Sequence, residues 1–395
     1  MNSKDIIKRY DEYVLGTYSR FPLVLSHGDG ARIFDADGKQ YIDFASGIGV
    51  NSVGYANPKW MDAITAQVQK LGHVSNLYYL EIVADLAETL CTRAGMAKAF
   101  FANSGAESNE GLIKLARKYS YDKYGSNRAT IITLRQSFHG RTLATITATG
   151  QNAFHDYFFP FMPGFRHALA NDINSVKRAA GADTCAILIE PIQGEGGVLP
   201  LDTAFVQDIA RLCKERDLLL LADEVQTGIG RTGSLFAYQQ YGIEPDAVSF
   251  AKGIAGGVPF GGFLTNETCS NTLVPGTHAT TFGGNPIGAA AALAVLEILD
   301  DAMLADINRR GANIRKRVES IGNPHITGTR GMGLMIGIAL QGINHKELAA
   351  KLTDAGLLAL TAGNDAVRFL PPLTISDEEI DAGLAIFESV LKLMS

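Results

Sequence analysis

Leu218-Leu-Leu-Leu-Ala-Asp223 and Asp246-Ala-Val-Ser-Phe-Ala-Lys252 decide how this chain folds. Each is a short apolar run that closes on an ionisable side chain, without the polar alternation of a strand that has one wet face. Such runs suit strands buried on both faces, as in a parallel sheet covered by helices. Similar runs lie at 129–134 and 185–189, and beyond Lys98 longer helical stretches separate them. This alternation predicts an α/β domain whose central sheet is mostly parallel, with helices on both faces. Ligands of open α/β sheets gather beyond the carboxyl ends of the strands, so Asp223 and Lys252 are expected at one site.

Outside that frame, Ala31-Arg-Ile-Phe-Asp35 and Gln40-Tyr-Ile-Asp-Phe44 flank the turn signal Asp37-Gly38 and predict a hairpin in a segment otherwise made of turns and short strands. Helical patterning begins at Pro58. The stretch 288–299 is apolar nearly all round and reads as a buried helix, with a boundary near Ala302. Gly333-Leu-Met-Ile-Gly-Ile-Ala-Leu340, a helical 346–355, Ala366-Val-Arg-Phe-Leu370 and a closing helix form an α+β unit. The expected organisation is an N-terminal segment, 1–57, that joins the small domain, a large domain, 58–301, and a C-terminal small domain, 302–395.

At 395 residues and 46% hydrophobic, the chain is long enough for a large and a small domain. A net charge of −6 without a long Lys/Arg run argues against nucleic acid or an anionic membrane as partner and favours small molecules. Cys91, Cys185, Cys213 and Cys269 are scattered, with no spacing for a disulfide framework or a metal site. The charged start lacks the apolar stretch of a signal peptide, and no run reaches the ~18 apolar residues of a membrane span, so a cytoplasmic location is expected.

Asn103-Ser-Gly-Ala-Glu107 follows an apolar run and opens a helix, with Ser104 and Glu107 at capping-box spacing. Free N–H groups at such a start favour an anion, although a plain helix start has the same letters. Asp223 follows leucines that bury its neighbours, and a buried carboxylate is costly unless it meets a cation; the bland alternative is a helix cap. In Ser137-Phe-His-Gly-Arg-Thr142, Phe138 could cover a flat ring and Arg141 grip a carboxylate, where a core aromatic and a solvated arginine are the ordinary outcomes. Glu190-Pro-Ile-Gln-Gly-Glu195 leaves a strand with an acid in a glycine loop. Gly228-Ile-Gly-Arg-Thr-Gly233 spells a dinucleotide fingerprint, but with 42 glycines the odds of a chance match are about one half. Glu224-Val-Gln-Thr227 also separates it from the strand, so it reads as a loop.

These segments together resemble the class III (ornithine-type) aminotransferases, enzymes of the fold-type I pyridoxal phosphate (PLP) family. The resemblance runs in family order through Ser46-Gly-Ile-Gly-Val-Asn-Ser-Val-Gly54, Asn103-Ser-Gly-Ala-Glu107, Phe138-His-Gly-Arg-Thr-Leu143, Glu190-Pro-Ile-Gln-Gly-Glu-Gly-Gly197, Asp223-Glu-Val-Gln-Thr-Gly228 and Thr280-Thr-Phe-Gly-Gly-Asn-Pro286. Thr17-Tyr-Ser-Arg-Phe-Pro-Leu23, Ser75-Asn-Leu-Tyr-Tyr79 and Pro275-Gly-Thr-His278 are most similar to members that act on N-acetylornithine. Ile254-Ala255 departs from the family's usual Leu-Gly, and Ser108 stands where alanine is common.

The resemblance implies that Lys252 bonds the cofactor aldehyde, Asp223 partners the pyridine nitrogen, and Gln226 neighbours the ring hydroxyl. Val225 and Phe138 would sandwich the ring, and Gly105 and Ala106 supply phosphate-binding backbone. Thr281 would reach the phosphate of a second subunit, which implies a homodimer. For substrate, Arg141 matches the arginine that holds the carboxylate distant from the reacting amine, and Thr280 a further contact. Arg368 would receive the α-carboxylate of glutamate, with Glu195 pairing it when the other substrate is bound. Tyr18 aligns with a tyrosine that meets the α-amino end of free ornithine. The activity implied is transfer of an amino group from N-acetylornithine to 2-oxoglutarate. Ornithine, succinyldiaminopimelate and 4-aminobutyrate are alternative donors within the class; a nicotinamide-dependent oxidoreductase or a non-catalytic ligand-binding relative would belong to other classes.

Overall fold

The computed structural model describes residues 3–394. It begins with a helix, Ser3–Tyr13, where the sequence predicts only turns and strands. None of its residues is buried. Its apolar side chains, Ile6, Ile7 and Tyr10, form one narrow edge along a surface groove shared with Phe21 and Leu23, too slight a stripe to stand out among the flanking charges.

Next come β1 (Leu25–Asp29), β2 (Arg32–Asp35) and β3 (Gln40–Asp43), antiparallel neighbours, with Gly38 at φ 88° in the hairpin turn. Asn57 caps the helix Pro58–Lys70 by accepting from the Trp60 amide, and proline occupies the position where no N–H is needed. The strands of the central sheet follow: β4 (Lys98–Ala102), β5 (Thr130–Leu134), β6 (Phe165–Ala168) and β7 (Thr184–Ile189). A short hairpin, β8 (Ile192–Gln193) and β9 (Leu199–Pro200), precedes β10 (Leu219–Asp223), β11 (Ala247–Phe250) and β12 (Gly261–Thr265).

The seven-stranded order is β4-β12-β11-β10-β7-β5-β6. Only β12 runs against its neighbours, pairing antiparallel with both β11 and β4. Every residue of β5, β7, β10, β11 and β12 is buried, which is why these strands are mostly apolar, with small Thr, Ser or Gly residues interspersed, and lack the alternation of a strand with one wet face. The chain steps outward from β5 to β6 but returns from β7 toward β10 and β11, so the direction of winding reverses beside β7. Crevices open at the carboxyl ends of strands where winding reverses.

After the helices Pro286–Ile298 and Asp301–Ser320, β13 (Ile326–Met332), β14 (Met335–Leu340), β15 (Leu357–Leu358), β16 (Leu360–Ala362) and β17 (Ala366–Phe369) complete the strands, and the helix Asp377–Leu393 closes the chain. β13, β14, β17 and β16 make an antiparallel sheet. β15 pairs parallel with β3, Leu357 opposite Ile42, so both ends of the chain share one sheet. The Gly228–Gly233 loop opens no long helix. Its Arg231 is buried, and Nη1 donates to the carbonyls of Leu334 at 3.1 Å and Pro371 at 2.6 Å, tying the C-terminal strands to the large sheet. Among the described residues no helix is long and apolar enough to cross a membrane.

Candidate active site

Asp223, the last residue of β10, is 4% exposed. A carboxylate at that depth needs donors, and four converge on it, the longest from Ser249 Oγ to Oδ1 at 3.5 Å. Oδ2 accepts from Asn109 Nδ2 at 2.7 Å and pairs with His139 Nδ1 at 2.8 Å, while Oδ1 accepts from the Val225 amide at 3.0 Å. Asn109 lies inside the helix that starts at Gly105, and His139 lies in the loop after β5. Neither residue was expected at the site. His139 stands inside a block that the family resemblance covers, but nothing local in Asn109 marks it as a partner.

Lys252 follows β11, which is parallel to β10, so the sheet brings lysine and aspartate to the same edge. Its φ of +44° places a side-chain-bearing residue in the left-handed region, a strain of about 1–3 kcal/mol that the surrounding packing must offset. Burial pushes its amine below the usual lysine range; Glu195, Asp223 and Glu190 pull the other way, and Arg368 adds to the depression. More of the amine is therefore neutral, and able to act as a nucleophile or base, than on a surface lysine.

On the far side of the cavity the 20-residue helix Gly105–Tyr124 points its N-terminus inward from β4. Ser104 caps it by accepting from the Glu107 amide at 3.2 Å, but Glu107 reaches back to the amide of Asn103 at 2.9 Å and not to that of Ser104, so only half of the expected capping box forms. Gly105 lies against Val225: a Cβ there would come within 2.6 Å of Val225 Cγ1. The unusual Ser108 has a local function, donating to the Phe250 carbonyl at 3.0 Å and so fastening this helix to β11 just before Lys252.

The β8–β9 hairpin and β17 supply a charged cluster. Arg368 Nη1 donates to Glu195 Oε1 at 2.7 Å and to Gln226 Oε1 at 3.0 Å, and Gln226 Nε2 donates to Glu195 at 3.2 Å. Arg368 is 2% exposed, and its Nε has no partner among the described residues. Burial alone would push Glu195 up, but the charge and hydrogen bond of Arg368, aided by Lys252 and Gln226, hold its carboxyl below the usual range. Gly194 is required for this packing, since a Cβ would fall 2.0 Å from Gln226 Oε1.

Phe138 and Arg141 line the same cavity, with the Arg141 guanidinium 4.0 Å from the Phe154 ring centre and 5.6 Å from that of Phe138. Thr280 stands behind Asn103, whose Nδ2 donates to its hydroxyl at 3.2 Å. Thr281 is exposed and does not line the cavity of its own chain. Tyr18 is 75% exposed and lies along the N-terminal groove, away from Lys252.

The cavity encloses about 430 Å³ between Val225, Phe138, Asp223, Lys252 and the Gly105 helix start. Its donor set fits pyridoxal phosphate. A helix N-terminus suits the phosphate, a buried carboxylate held by its own donors suits a pyridinium, and an aromatic and a branched aliphatic residue flank the space for a ring. Glu195 and Arg368 do not line this cavity, although the Arg368 Nε has no partner among the described residues and could take a carboxylate oxygen.

Fold and cavity together define an aminotransferase. A family model described as aminotransferase class-III matches residues 14–391, and the chain belongs to that family. Over 395 residues it is 50% identical to the acetylornithine aminotransferase of Haemophilus ducreyi, covering 99% of this chain and 100% of that protein. The crystal structure of an acetylornithine aminotransferase from Elizabethkingia anophelis matches with a TM-score of 0.89 at 31% identity, each chain covered in full at 100%. An ornithine aminotransferase from Toxoplasma gondii, whose structure has PLP at partial occupancy at the active site, matches with a TM-score of 0.94 at 29% identity, covering 99% of this chain and 94% of that one.

Proposed function

We propose that this chain uses PLP to move the terminal amino group of N2-acetyl-L-ornithine to 2-oxoglutarate, giving N-acetyl-L-glutamate 5-semialdehyde and L-glutamate, a step of arginine biosynthesis. The observation that carries this reading is the pair formed by buried Arg368 and half-buried Glu195 beside Lys252. When bound, the cofactor supplies an aldehyde that captures amines and a pyridine ring that accepts the electrons left when a proton departs from the amine-bearing carbon. Lys252 holds that aldehyde between turnovers. With the cofactor bound, its neutral amine would be placed to take and return the proton as a base. Asp223, fixed by Asn109, His139 and Val225, keeps the ring nitrogen protonated. Gly105 and Ala106 present N–H groups to the phosphate, Phe138 and Val225 flank the ring, and Gln226 meets its hydroxyl.

The two substrates differ at the reacting carbon. N-acetylornithine brings no carboxylate there, so Glu195 stays on Arg368, while Arg141 and Thr280 take the distant end. Glutamate and 2-oxoglutarate place a carboxylate beside the reacting carbon and displace Glu195 from Arg368. Glu195→Gln should therefore leave Arg368 without an anionic partner and lower the ratio of kcat/KM for N-acetylornithine over glutamate by about 10–100-fold. Half-reaction kinetics with each donor measure that ratio; an unchanged ratio contradicts the switching role.

Exposed apolar side chains such as Leu77, Tyr79 and Phe282 support assembly with a second copy, in which Thr281 would complete that copy's phosphate site. We place the homodimer in the cytoplasm, in keeping with its free cysteines. Free ornithine as donor is the second reading, favoured by the likeness to the Toxoplasma enzyme. Against it, Tyr18, the residue expected to meet the α-amino end of ornithine, lies outside the cavity of its own chain. Comparing kcat/KM for N-acetylornithine, ornithine, succinyldiaminopimelate and 4-aminobutyrate tests the proposal: N-acetylornithine should be preferred, and a preference of about tenfold for ornithine would overturn it.

A further inference from the structure

Glu190 has no part in the reaction described so far. It follows Ile189 at the end of β7, and Ile189 lies in register with Ala222 of β10, so Glu190 and Asp223 leave neighbouring parallel strands side by side. They are 5% and 4% exposed, and both line the cavity. Two adjacent carboxylates at that depth cannot both carry charge cheaply. Their donors are unequal. Asp223 is fed by Asn109, His139 and the Val225 amide, whereas Glu190 receives the Phe138 amide at 2.8 Å and the Gly194 amide.

The other charged groups around Glu190 do not reverse this order. Lys252 acts on it, but burial has already weakened the charge of that amine. Arg368 is engaged by Glu195, and His139 gives its Nδ1 to Asp223. Burial first, and the charge of Asp223 second, push the Glu190 carboxyl well above the usual carboxylate range, against the pull of the Phe138 amide, Lys252 and the Gly194 amide.

We propose that Glu190 is held as a neutral carboxylic acid, a positioning residue that leaves Asp223 the sole anion at the ring nitrogen, anchors the Phe138 amide, and offers an O–H donor to the cavity. The inference rests on the assignment of Asp223 to the ring nitrogen. An ionised Glu190 would place a second negative charge beside Asp223 and dilute its control of the ring proton. A neutral one keeps the local charge matched to a single pyridinium.

Glu190→Gln preserves shape, a donor and neutrality while removing the titrating carboxyl. Glu224 is also buried and pushed up to about 7, so the readout is the infrared difference spectrum, wild-type holoenzyme minus variant, in which the carbonyl band of a protonated carboxyl should remain. Stability supplies a signed readout. Above the ordinary value of 4.5 the unfolded chain ionises Glu190 while the folded chain does not, so wild-type stability falls as pH rises through that window. The Tm of E190Q relative to wild type should therefore be higher at about pH 8 than at about pH 5. Absence of the infrared band, or a Tm deficit of E190Q that deepens toward alkaline pH, would overturn the proposal. Should the Asp223 assignment fail instead, Asp223→Asn would remain active while the Glu190 band persisted, so the two failures are distinguishable.

Discussion

Lys252→Ala is expected to lower kcat by about 10⁴-fold or more, because it removes both the attachment point of the aldehyde and the base that moves the proton. Unfolding should not cause the loss. The lysine sits at φ +44° and its amine is depressed by burial, so alanine removes a buried polar group without requiring a new backbone. The variant should fold with a Tm close to wild type and still take up PLP through Asp223 and the Gly105 helix start, but borohydride should no longer fix the cofactor to the chain. Single-turnover absorbance with N-acetylornithine measures the chemical step directly. Turnover within about tenfold of wild type would remove Lys252 from its role.

Asp223→Asn should produce the second largest loss, about 10²–10⁴-fold in kcat. Asparagine nearly matches the shape but carries no charge to keep a ring nitrogen protonated, and its amide nitrogen sets a donor either against Asn109 and His139 or against the Val225 amide. Asp223→Ala should in addition destabilise the protein by about 1–3 kcal/mol, since buried donors from Asn109 and the Val225 amide would be left unmatched. Thermal melting of both variants separates the electrostatic effect from the structural one: the asparagine variant should lose far more in rate than in Tm, the alanine variant in both.

Residues whose meaning is local were legible in the sequence. The leucine run before Asp223 and the run before Lys252 are continuous because β10 and β11 are covered on both faces, and parallel pairing then brings their ends together. The Ser104 cap is likewise a local signal, although Glu107 turns to the Asn103 amide and leaves the box half formed. Partnerships set by strand order were not legible. That Glu190 stands next to Asp223 depends on β7 lying beside β10, and that Asn109 reaches Asp223 depends on how one helix crosses the sheet. β12 hid for a different reason. It starts inside a glycine-rich stretch, yet a Cβ on Gly262 would lie 2.2 Å from the Phe100 carbonyl, so glycine there serves close strand packing and not a loop. Thr281 carries an expectation that concerns a second chain, and Tyr18 one that concerns a bound substrate; neither lines the cavity of its own chain.

The proposed chemistry needs one amine and one carboxylate to meet a single cofactor at neighbouring strand ends. Borohydride reduction of the PLP-loaded protein, followed by peptide mapping, tests it most directly. One pyridoxyl phosphate group per chain should be found on the peptide that contains Lys252. Its attachment to a different lysine, or no attachment at all, would contradict the account.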